Sequence, residues 1–187
     1  MSSTEVFIRA GVPEDARAVA AIHVAAWQVA FADYFPAELL APLSVAQRTA
    51  AWLDRLAIRQ GPDYFILIAE SIDNGTVAGF CSAGGTRDED RKGDGEVYAL
   101  YVHPDWWRRG VGGALLAEAL HRFTEASYEA AALWTLERNV AARAFYEASG
   151  WRADGASRPF VYENYAQTEI RYRHPIGEGR EAPARDH

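Results

Sequence analysis

Arg108-Arg109-Gly110-Val111-Gly112-Gly113-Ala114 is the stretch of this 187-residue chain whose residue types point most directly to chemistry. Two arginines precede the glycines, and no acid lies between Trp106 and Gly113. Glycine adopts backbone conformations that other residues avoid and lets a ligand come close, so successive N–H groups can point at one anion. A helix starting here adds its own unpartnered N–H groups and the positive end of its dipole. Together these features describe a phosphate cradle. Two common cradles are excluded by spacing. A Walker A loop closes on Gly-Lys-Ser/Thr, whereas Gly112 is followed by Gly113-Ala114. A dinucleotide fingerprint needs a small residue at the sixth place from Gly110, and that residue is Leu115.

A cradle must be held between a strand and a helix. Val97 to Val102 is almost wholly apolar, the pattern of a strand covered on both faces. His103-Pro104 ends it, because proline cannot donate to a sheet ladder. Leu116, Leu120 and Phe123 then recur at helical spacing, carrying a helix to about Ser127. Upstream, the pattern predicts a strand at Val6 to Arg9, a helix from Pro13 to about Ala32, and a second helix from Val45 to Ile58. Tyr64 to Glu70 and Thr76 to Gly84 read as strands joined by the hairpin signal Asp73-Asn74-Gly75. Downstream come a strand at Ala131 to Leu136, a helix at Val140 to Ser149 capped by Gly150, a short pairing segment at Trp151 to Ala153, and a last strand at Gln167 to Arg173. Residues 1–176 read as one domain and 177–187 as a polar, disordered tail.

Composition narrows the function classes. A hydrophobic content of 49% with 12% aromatic residues is that of a globular chain. A formal charge of −7 argues against nucleic acid as the main partner and tilts expectation toward cationic substrates. Cys81 is the single cysteine, so no internal disulfide and no cysteine-rich metal site is available. The five histidines form no ligand pattern, so no metal is expected; His23 reads as a core residue with a satisfied hydrogen bond. No apolar run approaches the ~20 residues of a membrane span and no secretory signal is visible, so a cytoplasmic protein is expected.

The stretch 96–116 resembles motif A of the GNAT superfamily, the Gcn5-related N-acetyltransferases, whose pattern is Gln/Arg-x-x-Gly-x-Gly/Ala after a strand. Gly110 and Gly112 take the two glycine places, and Trp107 departs from Gln/Arg at the first. A second stretch, Asn139-x-x-Ala142-x-x-Phe145-Tyr146-x-x-x-Gly150-Trp151, is similar to another segment of that superfamily. The resemblance implies an α/β (α+β) fold with a mixed central sheet of about seven strands, four main helices and a splay at the central pair of strands. It implies acetyl-CoA as cofactor and an N-acetyltransferase that moves acetyl to a primary amine by direct attack in a ternary complex. Leu100, Tyr101, Val102, Arg108, Arg109, Gly110, Val111, Gly112, Gly113, Ala114, Asn139, Ala142 and Tyr146 would contact that cofactor, with the acetyl carbonyl against backbone N–H groups near Tyr101 and Val102.

The resemblance also assigns chemistry. Tyr146 would protonate the departing thiolate, and Glu96 would accept the amine's proton. Adjacent helical residues diverge by about 100°, so Phe145 takes the core and leaves Tyr146 for the site. Asn139 also suits a helix N-cap. Trp27, Phe31, Tyr34, Glu96 and Tyr98 would line the acceptor site, with Asp88, Glu89 and Asp90 nearby, and this aromatic and acidic set favours a small cationic amine. A homodimer is a frequent arrangement in the superfamily. The rival readings are an acyl-CoA-binding sensor or interaction module of the same fold, which needs neither Glu96 nor Tyr146, and a Rossmann-type nucleotide binder.

Overall fold

In the structure, a computed structural model that describes residues 5–176, the chain runs β1 (Val6–Ala10), α1 (Ala16–Ala30), α2 (Ala37–Leu40), α3 (Val45–Ala57), β2 (Tyr64–Ser71), β3 (Val77–Gly85), β4 (Gly95–Val102), α4 (Val111–Glu125), β5 (Ala130–Leu136), α5 (Val140–Ala148), β6 (Arg152–Tyr162) and β7 (Tyr165–Pro175). The tail expected at 177–187 lies outside the described residues. The strands form one mixed seven-stranded sheet in the order β1-β2-β3-β4-β5-β7-β6. Among the described residues every neighbouring pair is antiparallel except β4 with β5.

Both faces of the sheet are covered, which is why its central strands read as unbroken apolar runs. Along β2 the side chains alternate between two cores. Ile66 and Ile68 join Val19 and Ile22 of α1 and Trp52 and Leu56 of α3 on one face. Phe65 and Leu67 join Leu115, Leu116 and Phe123 of α4 on the other, with Phe145 and Tyr146 of α5 packed against that core. Five Cα levels pair β1 with β2, but β4 meets β5 only from Gly95↔Ala131 to Val97↔Leu133. Beyond Val97 the two strands part.

Two expectations change. Helix α1 starts at Ala16, after a short 3-10 turn over Pro13–Asp15. The segment expected to pair only over 151–153 is the long strand β6, closing a hairpin with β7. It is the sheet's edge, so Gly155 and Pro159 are tolerated where a central strand would reject them. No helix among the described residues is long and apolar enough to cross a membrane.

The polar loop before β4 is anchored from the far side of the sheet. Arg171 on β7, with its side chain 4% exposed, donates to Asp154 at 2.8 Å, to Asp88 at 3.0 Å and to both oxygens of Asp90 at 2.9 Å. The Trp134 indole also donates to Asp88 at 2.9 Å. Removing the cation would leave these carboxylates facing one another. Arg171→Met is therefore expected to cost about 3 kcal/mol, and a thermal melt should show Tm lower by roughly 6–12 °C.

Candidate active site

The glycine turn is built as an open nest. Gly110 has φ 82° and forms the N-cap of α4, and Arg108 before it has φ 60°. Holding a non-glycine residue in the left-handed region costs ~1 kcal/mol or more and is typical of ligand-binding turns. Ala114 N–H bonds the Gly110 carbonyl, while no protein acceptor among the described residues takes the N–H groups of residues 108–113. A Cβ built on Gly110 or Gly113 would meet open space, so the backbone there is approachable. Gly112 differs: a Cβ would lie 3.1 Å from the Phe145 ring, so this glycine lets α4 and α5 close together.

The parting of β4 and β5 opens the second part of the site. His103 N–H bonds the Ala78 carbonyl. By the alternation of an antiparallel ladder, Tyr101 then bonds toward β3, and the backbone N–H groups of Leu100 and Val102 turn toward β5, where no strand meets them. This corrects the expected pair of oxyanion donors: the Tyr101 amide is used within the sheet. Trp107, the departure from Gln/Arg in the motif, donates its indole N–H to the Val102 carbonyl at 2.8 Å. It thus ties the turn to the end of β4.

A cleft of about 830 Å³ runs through this gap. Leu100, Tyr101, Val102, Trp107, Asn139, Ala142 and Tyr146 line it, and so do Trp27, Phe31 and Tyr98. Residues 108–114 do not line it, and neither do Tyr34 and Glu96. Tyr34 instead packs in a satellite cluster with Phe35, Leu40 and Phe160. Asn139 accepts from Ala142 N–H at 3.1 Å, which caps α5 and holds both residues at the cleft wall.

Tyr146 sits where the cleft meets the α4 core, 5.2 Å from the Phe145 ring and 6.1 Å from the Tyr172 ring by centroids. Both Phe145 and Tyr146 pack against that core, so the division of faces expected for this pair is only partial. Burial first, then the neighbouring Tyr101 and Cys81, hold the Tyr146 phenol well above its ordinary range. It is a proton donor at neutral pH. Cys81 is fully buried and pushed up to about 12 by that burial, so it stays a packed thiol.

Glu96 is not placed as a base. Its side chain is 0% exposed, and Arg87 grips it through the backbone N–H at 2.8 Å and the guanidinium at 2.5 Å. Both of its oxygens are bonded to Arg87, and it does not line the cleft. The Arg87 guanidinium also lies 4.5 Å from the Tyr98 ring, so Glu96 fixes the arginine that reaches the cleft. The expected acidic lining is also absent. Asp88 and Asp90 are taken by Arg171, and the one carboxylate lining the cleft among the described residues is Glu169.

Charge in the cleft is instead mostly positive. Arg48, Arg55 and Arg87 line it. Arg48 and Arg55 share an α3 stripe with Trp52 at positions i, i+7 and i+4, so they face α1 together. The sequence carried this spacing openly, but nothing in it said which way the stripe pointed. His23 also lines the cleft; its Nδ1 accepts from the Trp52 indole at 3.1 Å, and its ring stacks on Tyr101 at 5.0 Å. Its Nε2 is buried without a partner, so the expectation of a satisfied histidine holds for one nitrogen only.

A model described as the acetyltransferase (GNAT) family matches residues 21–151. The chain belongs to the GNAT family. Its relatives include a Bacillus subtilis protein named as the uncharacterized N-acetyltransferase YuaI, 29% identical across 76% of this chain and 78% of that one. A Mycobacterium tuberculosis protein named as the probable N-acetyltransferase Rv2775 is 30% identical across 87% of this chain and 88% of that one. Among solved structures, the Thermoplasma acidophilum PaiA N-acetyltransferase in complex with coenzyme A superposes with a TM-score of 0.73 at 17% identity, covering 91% of this chain and 99% of that one. The GNAT sheet, with its central strands apart, is thus the frame for the cleft described above.

His23 gives this GNAT protein a pH signature. Burial chiefly, then Arg48 and Arg55, push its imidazole down to about 3 from the usual 6.5. Below pH 6.5 the unfolded chain takes up a proton that the folded chain refuses. The stabilisation is complete above that pH and is lost on acidification, by up to about 1.4 kcal/mol per pH unit. Urea unfolding between pH 6.5 and 4 should show this slope, and His23→Gln should flatten it by one proton.

Proposed function

We propose that the chain is an acetyl-CoA-dependent N-acetyltransferase in which a primary amine attacks directly within a ternary complex. The observation that carries this reading is the cleft between β4 and β5, which brings Tyr146, Asn139 and the free strand amides to one wall of a chamber lined by α1 and α3. The unspent N–H groups of residues 108–113, with Arg108 and Arg109 beside them, suit the pyrophosphate. Acetyl-CoA supplies an acetyl thioester: a C–N bond forms, the C–S bond breaks, the nitrogen gives up a proton and the sulfur gains one.

The chain's own groups serve each of those demands. The N–H groups of Leu100 and Val102 face the gap and receive the charge that develops on the carbonyl oxygen. Tyr146, kept protonated by burial, donates to the sulfur. Glu169, on the cleft wall with its Oε2 held by Arg158 at 3.0 Å, offers Oε1 to the proton of the amine. Asn139 and Ala142 shape the slot. The positive lining does not favour an acceptor that is only cationic, which the composition alone had suggested.

Isothermal titration with acetyl-CoA tests the reading, and an absence of heat over a broad concentration range overturns it. Tyr146→Phe should lower kcat by about 100-fold with acetyl-CoA affinity close to wild type. An unchanged rate removes Tyr146 from the chemistry. The proton acceptor is tested by turnover: Glu169→Gln should lower kcat by about 100-fold, whereas Glu96→Gln should lower it far less.

A further inference from the structure

One end of the cleft is built for an anion. Arg48 and Arg55 project from the same stripe of α3, and neither has a carboxylate within 4.0 Å among the described residues. Each guanidinium lies over an indole: Arg48 is 5.6 Å from the Trp27 ring and Arg55 is 4.8 Å from the Trp52 ring. Both rings touch His23, at 5.5 Å and 5.8 Å between centroids. His23 is 7% exposed, and the Trp52 indole donates to its Nδ1, so the ring proton must sit on Nε2. That N–H has no partner in the protein, although the residue lines the cleft. A buried donor left unsatisfied costs about 1–3 kcal/mol, which a ligand oxygen would recover.

These groups are not needed for the cofactor's phosphates. Helices α1 and α3 cover one face of the sheet, while the glycine turn opens α4 on the other. The third arginine, Arg87, is neutralised by Glu96. The cleft therefore offers two uncommitted cations and a neutral N–H donor at the α3 side, and on the β7 side the Glu169 carboxylate, whose Oε2 Arg158 holds at 3.0 Å while Oε1 is left for a ligand. Such polarity matches a molecule with an ammonium and a carboxylate, and Trp27, Phe31 and Tyr162 give its side chain an aromatic wall.

We propose that the acceptor is an amino acid with a free carboxylate, held through that carboxylate by Arg48, Arg55 and His23 Nε2–H while Glu169 faces its amine. The acetylation is the balanced step given above: the α-nitrogen gains the acetyl carbon and loses a proton, and the thiol of coenzyme A is released. This inference rests on the acetyltransferase reading and specifies its acceptor.

The test is CoA release from acetyl-CoA with the common L-amino acids, each beside its own C-terminal amide. At least one acid should react with kcat/KM about tenfold or more above its amide, because two half-exposed arginines contribute on that scale. Arg48→Gln/Arg55→Gln should erase the preference through KM while the far-UV circular dichroism spectrum is kept, and Arg48→Lys/Arg55→Lys should restore part of it. Amides that react as well as acids, a preference that survives the glutamine pair, or acetyl-CoA binding without turnover of any amino acid each overturn this acceptor and leave the cofactor assignment standing. Failure to bind acetyl-CoA overturns the acetyltransferase reading instead.

Discussion

Two parallel strands that begin as neighbours and then separate set up everything else in this protein. While β4 and β5 are paired, over Gly95 to Val97, their backbone groups satisfy one another. Past that point the N–H groups of Leu100 and Val102 have no strand to meet, although β4 stays paired with β3 on its other edge from Ala99 to Val102. A strand edge inside a protein is costly unless something fills it. Here one strand carbonyl is answered by a side chain, the Trp107 indole on Val102, and the N–H groups are left facing the cleft. The parting thereby makes a passage from one face of the sheet to the other, with buried aromatic walls.

Electrostatics divide along the same passage. On the α4 side the attractive groups are backbone dipoles and a protonated phenol. On the α1 and α3 side they are guanidiniums held over indole rings. Carboxylates are largely withdrawn into internal pairs: Glu96 with Arg87, and Asp88, Asp90 and Asp154 with Arg171. The chain's net charge of −7 is therefore a poor guide to the charge its cleft presents. Engaging these acids in ion pairs is what allows an acidic protein to contain a basic pocket.

How much of this the sequence displayed follows from the range of each interaction. The glycine turn, the apolar strand before it and the helix after it are local patterns, and they stand where the spacing put them. Asn139 as a cap is equally local. The pairing of Arg171 with Asp88, 83 residues apart, depends on strand order and had no signature in the chain. Glu96 and Arg87 are only nine residues apart, but the loop between them gives no period from which a contact can be read. The extent of β6 was hidden because an exposed edge strand needs no apolar alternation, and residues 152–155 are all exposed. Arg48 and Arg55 were visible as a stripe, but only the packing of α3 on α1 turns that stripe toward a cleft.

The aromatic walls have a practical consequence. Four of the six tryptophans, Trp27, Trp52, Trp107 and Trp134, line the cleft, at places spread from the glycine turn to the α3 side. Trp27 and Trp52 lie beneath guanidiniums, and Trp107 bridges the end of β4. Indole emission responds to nearby charge and to the loss of water. The molecule therefore carries its own optical probes along the path of its ligands, and stopped-flow fluorescence of the unlabelled protein would resolve the order in which the two halves of the passage fill.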